Sequence, residues 1–172
     1  ALDLAKDRLV KQQKKHEERQ SKNTVNLLKK AIILAGGLGT RLRPLTLTIP
    51  KPLIPIDDKG KTLTEYVLDI LKKYGVKEAY LSISYLGHKM EEYFGDGKTQ
   101  NKQEKNRYKD FGIKINYLTE QNPMGTAGPL LILRKENREK ELNDTFIMVN
   151  GDNLFNIDFK KMYEQHKKNK AV

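Results

Sequence analysis

The sequence lacks cysteine entirely. This absence excludes disulfide bridges and metal sites built from thiolates. Long apolar runs are absent as well, since no stretch approaches the ~20 residues that a membrane-spanning helix needs. The N-terminus carries charge from Asp3 onward and shows no signal peptide. These absences predict a cytoplasmic protein that does not enter a membrane.

Acidic residues are few relative to basic ones, and the formal net charge of the 172-residue chain is +11. Such a balance is found in proteins that bind nucleic acid. Here the basic residues are spread along the chain, and no aromatic-studded basic stripe or known DNA- or RNA-binding motif accompanies them. The chain is 37% apolar and 32% charged, which indicates a polar globular protein, long enough for a single domain with a hydrophobic core. The spread of the basic residues does not favour nucleic-acid binding.

Residues 1–30 form a very polar segment that precedes the first strand-like run. A short apolar stripe at helical spacing between Leu2 and Val10 gives way to an almost wholly polar stretch over 11–23. Such a segment cannot bury a face of its own, so we predict a helical lead-in or linker. A coiled-coil or partner-docking arm is the alternative. Because the chain begins with alanine, we also expect a longer chain upstream.

From residue 31 onward, strand-like and helix-like segments alternate. The predicted strands cover 31–35, 79–84, 112–118 and 145–150, and the predicted helices cover 62–74, 88–94, 126–134 and 158–168. Thr62 and Glu65 form a plausible capping box for the first of these helices. The alternation predicts an α/β fold with a Rossmann-like, mostly parallel sheet and helices on both faces. The polar stretch 95–111 is predicted to be a mobile surface loop.

A glycine-rich turn follows the first predicted strand. It lacks the third glycine of a G-x-G-x-x-G motif and the Gly-Lys-Ser/Thr of a P-loop. Glycines allow the backbone to approach a ligand closely, and amides at a strand-to-helix turn can face an anion. Arg41, Arg43 and Lys51 supply fixed cations immediately afterwards. The sequence therefore predicts a site for a polyphosphate at the turn Gly36-Gly37-Leu38-Gly39, between Ala35 at the end of the strand and Thr40.

These motifs resemble the signature of a known family. The sequence GGLGTRLRPLT, followed by PKPL, resembles that of the sugar-1-phosphate nucleotidyltransferases, also called nucleotide-sugar pyrophosphorylases. Glu120 followed by PMGTAG at 123–128 resembles the family's E-x-x-P-L-G-T-A-G segment, and the Asn-Gly-Asp that ends at Asp152 resembles its strand-end Gly-Asp. The resemblance covers about residues 31–170, and mannose-1-phosphate guanylyltransferase-like members are the nearest in pattern. Residues 31–172 are then the N-terminal portion of a nucleotidyltransferase domain.

The resemblance implies an activity and a role for each matching residue. The family joins a nucleoside triphosphate to a sugar 1-phosphate, giving an NDP-sugar and pyrophosphate with Mg²⁺ as cofactor. Arg41 would hold the β and γ phosphates, Lys51 would bridge the reacting phosphates, and Asp152 would ligate the metal. Nucleotide-binding roles would fall on Ala35, Gly36, Gly37, Leu38, Gly39, Thr40, Glu120, Gly125 and Thr126.

Two properties of the residues bear on this chemistry directly. Attack on an α-phosphorus needs cations and an in-line geometry but no nucleophilic side chain, and the sequence offers no evident nucleophile. The carboxylate of Glu120 can only accept hydrogen bonds. Guanine presents N1–H and N2–H₂ on one edge, so Glu120 favours GTP and guanylyl transfer. Gln121 would suit uracil or thymine, which keeps uridylyl or thymidylyl transfer open.

The resemblance also implies residues that have no counterpart here. The family's fold continues for about another half, which supplies a lysine for the sugar phosphate and a second aspartate for the metal. The chain thus reads as the truncated N-terminal half of the fold, and activity of the 172 residues alone is not expected. A regulatory or assembly module without catalysis is the rival interpretation. A homo-oligomer and further domains upstream or downstream both stay open.

Overall fold

The fold is seen in a computed structural model that describes residues 28–98, 110–122 and 124–170. Residues 1–27 of the predicted lead-in over 1–30, and most of the predicted loop over 95–111, lie outside the described residues. The strands are β1 (Lys30–Leu34), β2 (Glu78–Ile83), β3 (Lys114–Thr119) and β4 (Ile147–Asn150). The α-helices are α1 (Leu63–Lys73), α2 (Gly87–Phe94), α3 (Gly128–Lys135) and α4 (Phe159–Asn169). Short 3₁₀ helices cover Thr40–Leu42, Leu45–Leu47, Lys51–Leu53 and Glu139–Leu142.

The four strands form one parallel sheet with the order β3-β2-β1-β4. Each predicted strand and helix is present, and no end is displaced by more than two residues. The strand pairing places Leu34 beside Ser82 on one side and beside Asn150 on the other. Because all the strands run in one direction, their carboxyl ends meet at a single edge of the sheet.

Helices cover both faces of the sheet, as the alternation predicts. Ile33 and Leu81 point to one face and pack in a core with apolar residues of α1, α2 and α4. Ile32 and Tyr80 point to the other face and pack against α3. Residues 31–34 of β1 are apolar at successive positions because a central parallel strand is buried on both sides.

The N-terminus of α1 is tied to the carboxyl edge of the sheet. The capping box is confirmed, since Thr62 Oγ1 accepts from the Glu65 amide at 3.3 Å and Glu65 Oε2 accepts from the Thr62 amide at 2.7 Å. Thr64 donates a hydrogen bond to the carbonyl of Gly151 at 3.3 Å. Gly151 in turn donates its amide to the carbonyl of Leu34 at 2.8 Å. These contacts fix the turn after β4 beside the turn after β1.

Among the described helices, none combines the length and the apolar character that crossing a membrane would require.

Candidate functional site

The glycine-rich turn after β1 is held from beneath by Thr46. Gly39 adopts a left-handed φ of 61°, which a residue with a Cβ rarely tolerates. A Cβ at Gly39 would lie 2.8 Å from Cγ2 of Thr46. Thr46 is buried and donates its hydroxyl hydrogen bond to the Gly39 carbonyl at 2.8 Å. Gly39 is therefore required both by the left-handed backbone of the turn and by the close packing against Thr46.

A second hydroxyl anchors the start of the same turn. Ser84, just after β2, donates to the carbonyl of Gly36 at 2.6 Å. Gly37 lies between the two anchored positions, and a Cβ there would meet no atom within 4 Å. Gly37 lines three adjoining cavities at the carboxyl edge of the sheet. The turn is thus fixed at both ends and open in its middle, where a ligand could approach the backbone.

Replacement by alanine is expected to have different effects at Gly39 and Gly37. Gly39→Ala should lower the free energy of unfolding by about 1–3 kcal/mol, because the new Cβ combines a strained φ with a clash against Thr46. Gly37→Ala should leave unfolding unchanged but weaken inorganic triphosphate binding about tenfold, or ~1.4 kcal/mol. Urea denaturation and calorimetry on the full-length protein measure the two effects. Equal destabilisation by both substitutions would contradict this division of roles.

The largest of these three cavities, about 520 Å³, lies between the glycine turn and the segment that follows β3. It brings together Gly36, Gly37, Leu38, Glu120, Gly125 and Thr126 from the predicted site. Gln121, the alternative base contact that the sequence offered, lines it too. The remaining lining residues, which sequence reasoning missed, are Leu34, Ser82, Ser84, Tyr85 and Asn122. Most of these lie at or just after the carboxyl ends of β2 and β3, and strand-end position is the signal that could have found them.

The carboxylate of Glu120 is held on both of its oxygens. Oε1 accepts a hydrogen bond from the Ser82 hydroxyl at 2.5 Å, and Oε2 accepts from the Met124 amide at 3.1 Å. A Cβ at Gly128 would lie 3.3 Å from the carboxyl carbon of Glu120 and 2.6 Å from Cβ of Met124. Gly128, the second glycine of the PMGTAG segment, therefore leaves room for this arrangement, and Glu120 has a defined orientation at the cavity wall.

Charged side chains gather on the other side of the glycine turn. Two cavities of about 230 and 250 Å³ share Gly37, Lys51 and Asp152. Ala35 lines the first of them, whereas Thr40 and Arg41 line the second. The structure thus brings all the predicted site residues to one edge of the sheet.

Lys51 and Asp152 form an ion pair in these cavities. Lys51 Nζ donates to Asp152 Oδ2 at 2.6 Å, and both side chains remain about one-third exposed, at 33% and 35%. An exposed pair of this kind contributes little to stability, about 0–1 kcal/mol. Both groups therefore remain available to a ligand that enters from solvent.

Asp152 is the candidate metal ligand. Within the described ranges, no group of three or more His, Cys, Asp or Glu side chains could hold a metal ion. Asp152 contributes one carboxylate, and Asn150 lines the same cavity. Mg²⁺ commonly binds through one or two carboxylates together with substrate phosphates and water. The donor set fits Mg²⁺ when a phosphate ligand completes the coordination.

Comparisons with known proteins agree on one family. The model of the family described as "Nucleotidyl transferase" matches residues 30–172. The D-glycero-alpha-D-manno-heptose 1-phosphate guanylyltransferase of Aneurinibacillus thermoaerophilus is 40% identical over 136 residues, which are 79% of this chain and 51% of that protein. The UTP--glucose-1-phosphate uridylyltransferase of Synechocystis sp. is 34% identical over 152 residues, covering 83% of this chain and 35% of the relative.

A solved structure is similar as well. HddC from Yersinia pseudotuberculosis, crystallised as a complex with GMP-PN, is 30% identical with a TM-score of 0.58. The match covers 81% of this chain and 54% of the HddC chain. The chain therefore spans about half the length of HddC, about half that of the heptose 1-phosphate relative, and about a third that of the uridylyltransferase.

Proposed function

The chain belongs to the nucleotidyl transferase family, and from this premise we propose that the full-length protein transfers a guanylyl group from GTP to a sugar 1-phosphate. One observation carries the proposal. A cavity walled by an oriented carboxylate, that of Glu120, lies on one side of the glycine turn, and Arg41 and Lys51 lie on the other. A purine nucleoside triphosphate that crosses the turn at Gly37 would place its base and its phosphates in chemically suitable surroundings.

The proposed reaction follows from this placement. An oxygen of the sugar 1-phosphate attacks the α-phosphorus of GTP, and the bond from that phosphorus to the β-phosphate oxygen breaks. A GDP-sugar forms and pyrophosphate leaves. Because the attacking and attacked groups are both anionic, the reaction depends on cations and on in-line positioning. Arg41 would stabilise the charge on the leaving pyrophosphate, and Lys51 would hold the reacting phosphates together.

Guanine selectivity rests on the hydrogen-bonding capacity of Glu120. A carboxylate offers about four acceptor positions on its two oxygens. Ser82 and Met124 each use one of them, which leaves one on each oxygen. Guanine presents two adjacent donors, N1–H and N2–H₂, and matches that remaining pair. Uracil presents one N–H between two carbonyl oxygens, which the carboxylate would repel.

Mg²⁺ is part of the proposal through Asp152. When bound, the metal would offset the negative charge of the phosphates. Asp152 would hold it with one carboxylate oxygen, and phosphate oxygens would complete its shell. Lys51, which pairs with Asp152 in this structure, would then turn toward the phosphates.

Uridylyl transfer is the second candidate. It is favoured by the likeness to the uridylyltransferase of Synechocystis sp. and by Gln121, whose side-chain amide could pair with uracil and which lines the same cavity.

Glu120→Gln separates the two candidates. The substitution exchanges an acceptor for a donor on one atom, so we expect the ratio of kcat/KM for GTP to that for UTP to fall about 10- to 100-fold, or ~1.4–2.8 kcal/mol. Gln121→Ala is the matched control and should leave the ratio within about threefold. If Gln121→Ala moved the ratio and Glu120→Gln did not, base recognition would belong to Gln121.

The function itself is tested by pyrophosphate release from the full-length protein. GTP, UTP, dTTP, CTP and ATP are each supplied with mannose, heptose or glucose 1-phosphate. We expect release to require both substrates and to be fastest with GTP. Release that is fastest with UTP would replace guanylyl by uridylyl transfer. No release with any pair would overturn the transferase and favour a module that binds nucleotide without turnover.

A further inference from the structure

Ser82 is a buried polar residue in an otherwise apolar strand segment. Its neighbours Leu81 and Ile83 are buried, and Ser82 itself is only 1% exposed. A hydroxyl taken from water into such a place needs a hydrogen-bond partner to offset the lost hydration. The Ser82 hydroxyl finds that partner in Oε1 of Glu120, at 2.5 Å.

The sheet itself sets this contact. Ser82 lies opposite Leu118 in the parallel pairing of β2 and β3. Glu120 follows two residues after Leu118, so its side chain projects on the same face. The Glu120 amide also donates to the carbonyl of Ile83 at 2.8 Å, which extends the pairing by one bond beyond β3. The distance between hydroxyl and carboxylate is thus fixed by backbone register and not by loop conformation.

Two anchors are needed to define the plane of the Glu120 carboxylate. The terminal torsion of a glutamate side chain is broad and weakly restrained by itself. The Met124 amide holds Oε2, and one contact still permits rotation about that oxygen. The Ser82 hydroxyl holds Oε1 and removes this freedom. With both hydrogen bonds in place, the unused acceptor positions of the two carboxylate oxygens keep a constant direction relative to the cavity that Ser82 and Glu120 line.

We propose that Ser82 is a positioning residue that sets the base selectivity of this site by fixing the plane of the Glu120 carboxylate. The inference rests on the proposed guanylyl transfer. Guanine engages both carboxylate oxygens at once and needs them coplanar with its N1–H and N2–H₂. Uracil offers a single donor and is less sensitive to carboxylate rotation. Loss of the Ser82 hydroxyl therefore weakens guanine binding more than uracil binding.

The test compares Ser82→Ala with Ser84→Ala in the full-length protein. GTP and UTP affinities are measured by calorimetry without sugar phosphate, and kcat/KM is measured for both nucleotides. We expect Ser82→Ala to reduce the GTP-to-UTP affinity ratio about tenfold, as for a hydrogen bond to a charged group. Ser84 anchors the Gly36 carbonyl, next to Gly37, where the triphosphate is proposed to cross the turn. Ser84→Ala should therefore lower both affinities equally and leave the ratio unchanged.

The outcomes separate the inference from the function on which it rests. Equal losses for GTP and UTP in Ser82→Ala would overturn the role of Ser82 while guanylyl transfer stands. A wild-type protein with no preference for GTP would overturn the guanylyl proposal itself. If Ser82→Ala no longer unfolds cooperatively, Ser82→Cys replaces it, because a thiol fills the space of the hydroxyl, although it is somewhat larger, and donates weakly. Its expected ratio lies between those of the alanine variant and the wild type, and an unchanged ratio would overturn the inference.

Discussion

Replacing Arg41 with glutamine is expected to lower kcat of the full-length protein about 10²- to 10³-fold, the range seen when one preorganised transition-state donor is removed. Arg41 is exposed and lines the same cavity as Lys51 and Asp152. Its charge is placed to stabilise a leaving pyrophosphate and contributes little packing. The midpoint of thermal unfolding should therefore remain within experimental error of the wild type. Steady-state pyrophosphate release and a thermal melt on the same preparation measure both quantities.

Arg43→Gln is the matched control for Arg41. The substitution removes the same charge two residues along the chain. The sequence grouped Arg43 with Arg41 and Lys51, but its exposed side chain lines none of the three cavities. We expect kcat to change less than about threefold, since surface charges away from a site interact weakly through water. Equal losses in the two variants would show that net positive charge, and not the position of Arg41, supports turnover.

Lys51→Met is the second substitution expected to have a large effect. It removes the cation that would bridge the reacting phosphates, and it leaves Asp152 without the ammonium that now lies 2.6 Å away. We expect kcat/KM to fall about 10²- to 10³-fold. Unfolding should change by no more than about 1 kcal/mol, because the ion pair is partly exposed. Lys59→Met, at an exposed lysine, is the control and should retain near wild-type turnover.

A double-mutant cycle makes the Lys51 prediction stricter. If Lys51 and Asp152 act on the same phosphates, the losses in Lys51→Met and Asp152→Asn should be less than additive in the double variant. Full additivity would indicate that the two side chains act independently. Retention of wild-type kcat/KM by Lys51→Met would remove this lysine from the proposed mechanism.

Local features of the sequence were sufficient to predict the elements of the fold. Apolar runs, a glycine-rich turn and the capping box of Thr62 and Glu65 each act over a few residues. The start of α3 was predicted at Thr126, but the helix begins at Gly128. Thr126 and Ala127 form a turn instead, closed by the Gly128 amide on the carbonyl of Gly125 at 3.0 Å. Pro129 fits the first helical turn, where its missing N–H is not needed.

The contacts that orient the site were beyond sequence reasoning for a physical reason. The Ser82–Glu120 hydrogen bond joins residues 38 apart and depends on the register between β2 and β3. The Lys51–Asp152 pair joins residues 101 apart. Thr46 reads as an ordinary loop threonine, and only the folded turn brings it beneath Gly39. Motifs predicted which residues form the site, whereas strand register decides which of them touch.

The most direct test of the account is a crystal structure of the full-length protein with a non-hydrolysable GTP analogue. We expect the guanine to lie in the cavity beside Glu120, with N1 and N2 each within hydrogen-bond distance of a carboxylate oxygen. The triphosphate should cross the turn at Gly37 and reach Arg41. Guanine outside that cavity, or phosphates that lie away from Arg41 and Lys51, would contradict it.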